Sequence, residues 1–109
     1  MKKLLVIGIL FWSQFIRAEY SINEYRNQNP EVMAVYLHGV ANGFKIANIL
    51  NKRAKINPLF CPPETLRLGG QNYKDILDQQ IKRVNVSEWN SNVIEIELLN
   101  GLVYTFPCK

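Results

Sequence analysis

Apolar positions recur along this chain with three rhythms, and each predicts an element. Residues Leu4 to Trp12 (LLVIGILFW) form an uncharged block behind Lys2 and Lys3, and Ile16-Arg17-Ala18 ends it on a small residue. That layout predicts a secretory signal over residues 1–18, cut after Ala18. Even counted from Leu4 through Ile16, the uncharged run has 13 residues and contains Ser13 and Gln14. A membrane-spanning helix needs about 20, so an uncleaved anchor is the weaker reading. The remaining domain is then 19–109.

From Asn29-Pro30 onward the rhythm is helical. Val32, Tyr36, Val40, Phe44 and Ala47 fall three or four apart, with Met33, Leu37 and Leu50 beside them, which predicts one broad apolar face. Asn29 is placed to cap the helix, and Pro30 is tolerated in its first turn. Gly39 and Gly43 lie one turn apart and cost about 1 to 2 kcal/mol of helix propensity relative to Ala. Bare backbone at two stacked positions predicts close approach there by another helix or a partner chain.

In Ile56–Leu68 (INPLFCPPETLRL), Pro58, Pro62 and Pro63 exclude a continuous helix, and Gly69-Gly70 reads as a flexible break. A second helix is predicted from about Asn72 to Val84, with Tyr73, Ile76, Leu77, Ile81 and Val84 on one face and Lys74, Asp75, Asp78, Lys82 and Arg83 on the other. Residues Asn85 to Asn92 are turn-like, and Asn92 with Glu95 fits a capping pair. Val93 to Phe106 supports two patterns. Ile94, Ile96 and Leu98 alternate as in a strand, whereas Leu98, Leu99, Leu102, Val103 and Phe106 follow helical spacing; a 14-residue length favours the helix. The domain therefore reads as three helical segments, a small all-α fold.

Charge changes meaning once the signal is set aside. The full chain carries a formal +4, but three of its cations are Lys2, Lys3 and Arg17, leaving a domain of +1. A field that weak removes the case for nucleic acid. Lys52-Arg53-Ala54-Lys55 is the remaining basic cluster, and it reads as a solvated helix end complementing the dipole. Export also governs the cysteines. Cys61 and Cys108 are the only two in the sequence, so in an oxidising compartment one disulfide between them is the expectation.

Chemistry is sparse. His38 is the only histidine, read as a partly buried helix-face residue. Two Cys and one distant His are too few soft ligands for a metal, and a cysteine hydrolase would need Cys61 unpaired. Glu95 and Glu97 are two apart and read as surface charge rather than an acid-base pair. Gly69-Gly70 lacks the spacing of a phosphate loop, and Asn85-Val86-Ser87 matches a glycosylation acceptor that matters only in a eukaryotic secretory pathway. No catalytic residue, metal or cofactor is assigned, and an enzyme is not expected.

Four motifs occur in a telling order: Tyr36-Leu37-His38-Gly39-Val40-Ala41-Asn42-Gly43-Phe44, Phe60-Cys61-Pro62-Pro63, the Tyr73/Ile76/Leu77 helix, and Leu102-Val103-Tyr104-Thr105-Phe106-Pro107-Cys108. Together they resemble the type VI secretion amidase immunity family (Tai/Rap type), over about Met33 to Cys108. The resemblance implies a small exported, mostly helical protein, often a homodimer, that binds a peptidoglycan amidase effector and occludes its active site. It also favours helix for Val93 to Phe106. The family pattern carries a further cysteine just ahead of Tyr-x-x-Gly-Val; Met33, Ala34 and Val35 hold none, which implies one disulfide rather than two.

The expectation is thus a periplasmic immunity protein without a stable membrane anchor. Residues Asn51 to Asn57 and Asn85 to Asn92 are the candidate presenting loops, because both are polar and flank rigid elements. The alternative is a periplasmic helical chaperone or envelope stress protein that exposes apolar faces when a dimer opens in acid.

Overall fold

The computed structural model describes residues 19–109; the segment read as an export signal, 1–18, lies outside the described residues. Helix accounts for 62% of the domain, and no strand occurs among the described residues. The elements are α1 (Ile22–Arg26), α2 (Pro30–Arg53), α3 (Gly70–Ile81), a 3-10 turn (Val86–Glu88) and α4 (Ile94–Thr105). The fold is all-α and stapled by a Cys61–Cys108 disulfide. Among the described residues, no helix is long and apolar enough to cross a membrane.

Each helix has a local cause. Asn29 Oδ1 accepts the N–H groups of Glu31 (2.8 Å) and Val32 (3.3 Å), satisfying donors that a helix start leaves open, and Pro30 supplies the first residue. Lys52 and Arg53 occupy the last turn of α2, and Lys55 adopts a left-handed backbone (φ 59°) that turns the chain away. At the start of α3, Asn72 Oδ1 accepts from the Gly69 N–H at 2.8 Å. The final segment is helical, which settles the strand-or-helix choice for Val93 to Phe106.

The three-segment reading is one helix short. Ser21 and Glu24 form a reciprocal capping box, Ser21 Oγ accepting the Glu24 N–H at 3.1 Å while Glu24 Oε1 accepts the Ser21 N–H at 3.2 Å, and this nucleates α1. The expected Asn92/Glu95 capping pair does not form. Instead the chain just before α1 runs antiparallel to the start of α4 at a single bridge, Ser21 to Val93. There the Ile94 N–H donates to Tyr20 O (2.9 Å) and the Ile22 N–H to Asn92 O (3.1 Å). Backbone from 74 residues away caps α4 where a side chain was expected.

Every helix contributes to one core: Ile22 and Tyr25 from α1, Met33, Leu37 and Ala41 from α2, Tyr73, Leu77 and Ile81 from α3, Ile94, Leu98 and Leu102 from α4, and Phe60 from the connector. The α3 face is as expected, with Ile76 and Val84 packed at its margin. The α2 face is rotated from the expected one. Its centre is Met33-Leu37-Ala41, with Tyr36, Val40 and Phe44 partly buried, whereas Val32 and Leu50 are exposed.

Candidate functional site

The connector between α2 and α3 is built around Asn48 and the staple. Asn48 Oδ1 accepts the Leu59 N–H (2.8 Å) and its amide donates to Phe60 O (3.0 Å), so the end of α2 holds the extended connector against itself. The Cys61 N–H then donates to Phe106 O at 2.8 Å, and the disulfide joins Cys61 to Cys108 with their Cα atoms 5.0 Å apart. The connector and the chain end are thus held by a covalent bond and a hydrogen bond, and a bridge of this kind fits an exported protein. Between α2 and the connector lies a hollow of about 360 Å³ lined by Asn48, Ile49, Lys52, Pro58, Phe60 and Pro62.

The two segments expected to present a surface are both ordered by hydrogen bonds but do not come together. The expected 51–57 loop is only half a loop: residues 51–53 are the last of α2, and the turn after them is closed by the Ile56 N–H donating to Asn51 O (2.8 Å). The 85–92 loop sits against α1, just ahead of α2. The Asn23 N–H donates to Trp89 O (3.2 Å), the Trp89 indole N–H to Val84 O (3.3 Å), and the Asn23 amide to Asn90 Oδ1. The Arg26 guanidinium lies over the Trp89 ring, 4.4 Å from its centroid. Beyond these anchors, Val86, Ser87, Glu88 and Asn90 face solvent. A 24-residue α2, about 36 Å long, separates the two loops.

Gly39 and Gly43 do not serve close packing inside the chain: a Cβ built on either meets nothing within 4 Å. The close approaches occur at two other glycines. A Cβ on Gly70 would stand 2.4 Å from Ala34 O, and one on Gly101 would stand 3.0 Å from Ile76 Cγ2. Gly70, read as a flexible break, is where α3 meets α2 backbone to backbone. The partner-chain half of the Gly39/Gly43 expectation is a matter for the α2 outer face.

That face carries Val32, Val35, Gly39, Asn42, Ile46 and Ile49, all exposed, Val35 at 76%. His38 lies at its margin and is exposed rather than partly buried; its ring is tilted against Tyr73 with centroids 6.0 Å apart.

The paired carboxylates are not plain surface charge. Glu97 is only 6% exposed, and its carboxylate accepts from the Gln80 amide at 3.0 Å across the α3–α4 contact. Glu95 is partly buried and reaches back to the start of the domain, where its Oε1 accepts the Tyr20 N–H (3.1 Å) and its Oε2 the Tyr36 hydroxyl (3.3 Å). Burial lifts the Glu95 carboxyl above its ordinary pKa even though both donors favour its charged form. Burial and the neighbouring carboxylate push the Tyr36 phenol up to about 12. On the far side of the core, Tyr25 donates to Asp78 Oδ1 at 2.6 Å and Lys74 pairs with Asp78 Oδ2 at 2.9 Å. Burial and that carboxylate drive the Tyr25 phenol far above its ordinary range.

Sequence reasoning missed three of these features: Glu95 as a long-range anchor, Gly70 with Gly101 as packing glycines, and α1. Only α1 had a readable signal, the Ser21-Ile22-Asn23-Glu24 capping box. No family model, no curated protein and no solved structure matches the chain.

Proposed function

We propose that this chain is a periplasmic immunity protein of the type VI secretion amidase kind, acting as a homodimer that binds a peptidoglycan amidase effector and occludes its cleft. The observation that carries the reading is the 85–92 loop. Its backbone is tied to α1 through Trp89 O and Asn92 O, and its tryptophan is clamped under Arg26, while Val86 at its tip is 70% exposed. A loop held in one conformation before binding loses little entropy on docking, which is what an inhibitory segment entering a cleft requires. The amidase as target comes from the resemblance of the Tyr36–Phe44, Phe60–Pro63, Tyr73–Leu77 and Leu102–Cys108 motifs. In the fold those motifs supply Leu37, Phe60, Tyr73, Leu77 and Leu102 to the core and both cysteines to the staple.

The test is inhibition of purified peptidoglycan amidases, of the class delivered between bacteria, by the oxidised protein. The expected result is stoichiometric inhibition of at least one enzyme, weakened at least tenfold by Val86→Arg with the helical content unchanged. A panel in which no enzyme is bound or slowed would overturn the reading. A chaperone is the second reading, favoured by the exposed apolar α2 face; suppression of client aggregation at acid pH without any amidase binding would favour it.

A further inference from the structure

The outer face of α2 is a seam. Val32, Val35, Gly39, Asn42, Ile46 and Ile49 follow one another at steps of three and four, the spacing that keeps one line of side chains facing a second helix, and no described element covers them. The seam is also self-complementary when reversed. Laid antiparallel about its centre, Val32 falls opposite Ile49, Val35 opposite Ile46, and Gly39 opposite Asn42, so each β-branched residue meets a β-branched residue and each small one a polar one.

We propose that α2 pairs antiparallel with α2 of a second copy of this chain through this seam, in that register. The inference rests on the homodimer in the reading above and specifies its surface. Three further observations select a second copy as the occupant. Charge is complementary: Glu31 in the first turn lies within about one turn of the partner's Arg53 in the last, and the opposed helix ends favour the same orientation. Gly39 and Gly43 leave open space at the middle, so the backbones can close there and offset a propensity cost that no contact among the described residues repays. The two Asn42 residues then flank the two-fold axis, offset about 4.5 Å along the helix direction, where a hydrogen bond between their amides fixes register.

Size is adequate. The strip from Val32 to Arg53 is about 33 Å long, and covering it on both copies buries on the order of 1,000 Å², the lower bound for a specific contact. At its end the partner's Val32 comes to rest beside Ile49, at the rim of the hollow lined by Pro58 and Phe60. The pairing has a functional consequence. Within one chain the 51–57 and 85–92 loops lie at opposite ends of α2, but antiparallel pairing brings the 51–57 loop of one copy to the end that carries the 85–92 loop of the other. The surface offered to a cleft is then built from both copies.

The experiment combines light scattering with engineered cysteines in protein expressed from the full 109-residue sequence. Val35→Cys and Ile46→Cys in one chain are about 16 Å apart along the helix and cannot bridge each other, but each faces the other's position on the partner. The expected result is twice the chain mass in solution and an oxidised, doubly linked dimer from the double variant, with Val35→Cys alone remaining unlinked. Linkage by Val35→Cys alone would mean parallel pairing and overturn the proposal. A dimer that never links would overturn the seam and leave the homodimer standing on another face. A monomer at high micromolar concentration would overturn both, whatever the inhibition assay reads.

Discussion

Gly70 has no side chain because Ala34 occupies its place: a Cβ there would lie 2.4 Å from the Ala34 carbonyl oxygen and 2.9 Å from its carbon. Both contacts are backbone of α2, which cannot step aside, so Gly70→Ala has to push α3 away from Tyr73's core neighbours. The expected loss is about 1 to 3 kcal/mol of unfolding free energy in urea melts. Gly101→Ala meets Ile76 Cγ2 at 3.0 Å, Gln80 Cβ at 3.2 Å and Ile76 O at 3.3 Å, contacts that are tight without the overlap found at Gly70, and is expected to cost less. Within one chain a Cβ at Gly43 meets nothing, so Gly43→Ala is expected to gain about 0.5 to 1 kcal/mol of helix propensity in the dissociated monomer, at protein concentrations too low for pairing. A dissociated Gly43→Ala chain less stable than the dissociated parent would contradict the open geometry within the chain.

The staple can be weighed separately. Cys61 and Cys108 enclose 48 residues, and the chain-entropy model assigns a loop of that length about 4 kcal/mol. Replacing both cysteines with Ala should lower the urea midpoint accordingly while leaving helical content intact, because the core residues belong to the helices and the Cys61 N–H keeps its bond to Phe106 O. Circular dichroism and urea melts with and without reductant would read the two quantities; an unchanged midpoint would remove the staple from the account of stability.

The disulfide, the Asn29-Pro30 start and the α3 face were legible because each depends on residues near in sequence or on a simple count. The α2 face was misread because α2 carries two apolar stripes. Met33, Leu37 and Ala41 face the core, Val32, Val35, Ile46 and Ile49 face out, and a periodicity read from Val32 merges them. Hydrophobic spacing registers a stripe without saying which neighbour covers it. Gly70 and Glu95 were illegible for a related reason. Their partners, Ala34 and Tyr20, are 36 and 75 residues away, and only the packed fold brings them together.

Tyr25 and Asp78 offer a test of the other side of the core. The phenol donates to a carboxylate already paired with Lys74, a charge-assisted hydrogen bond between α1 and α3. Tyr25→Phe keeps the ring in the core and removes the donor alone, so a loss of about 1.5 kcal/mol is expected. Because the phenol is held far above its ordinary range, its ionisation should be absent from an absorbance titration across the usual tyrosine range, and Tyr25→Phe should leave that part of the titration unchanged. A lost early transition in the variant would mean that Tyr25 is not held by Asp78.

Glu95 predicts how the domain responds to acid. Burial raises its folded-state pKa above that of the unfolded chain, whose carboxyl lies at about 4.3. Between those two values the folded state holds more of the proton than the unfolded state does. Stability from this group therefore falls as pH rises through the window and returns as pH falls, the reverse of a carboxylate whose pKa is depressed by pairing. Acid does not undo the Glu95 contact with Tyr20 and Tyr36; it relieves the cost of a buried charge, and opening of the N-terminal segment at low pH would need other groups. Glu95→Gln keeps an oxygen to accept the Tyr20 N–H and removes the charge. The stability of the parent minus that of Glu95→Gln, from urea melts at a series of pH values, should decline from acid towards neutral and then level off. A difference that instead grows with pH would mean that the Tyr20 and Tyr36 donors outweigh burial and that the carboxyl is held below its ordinary value.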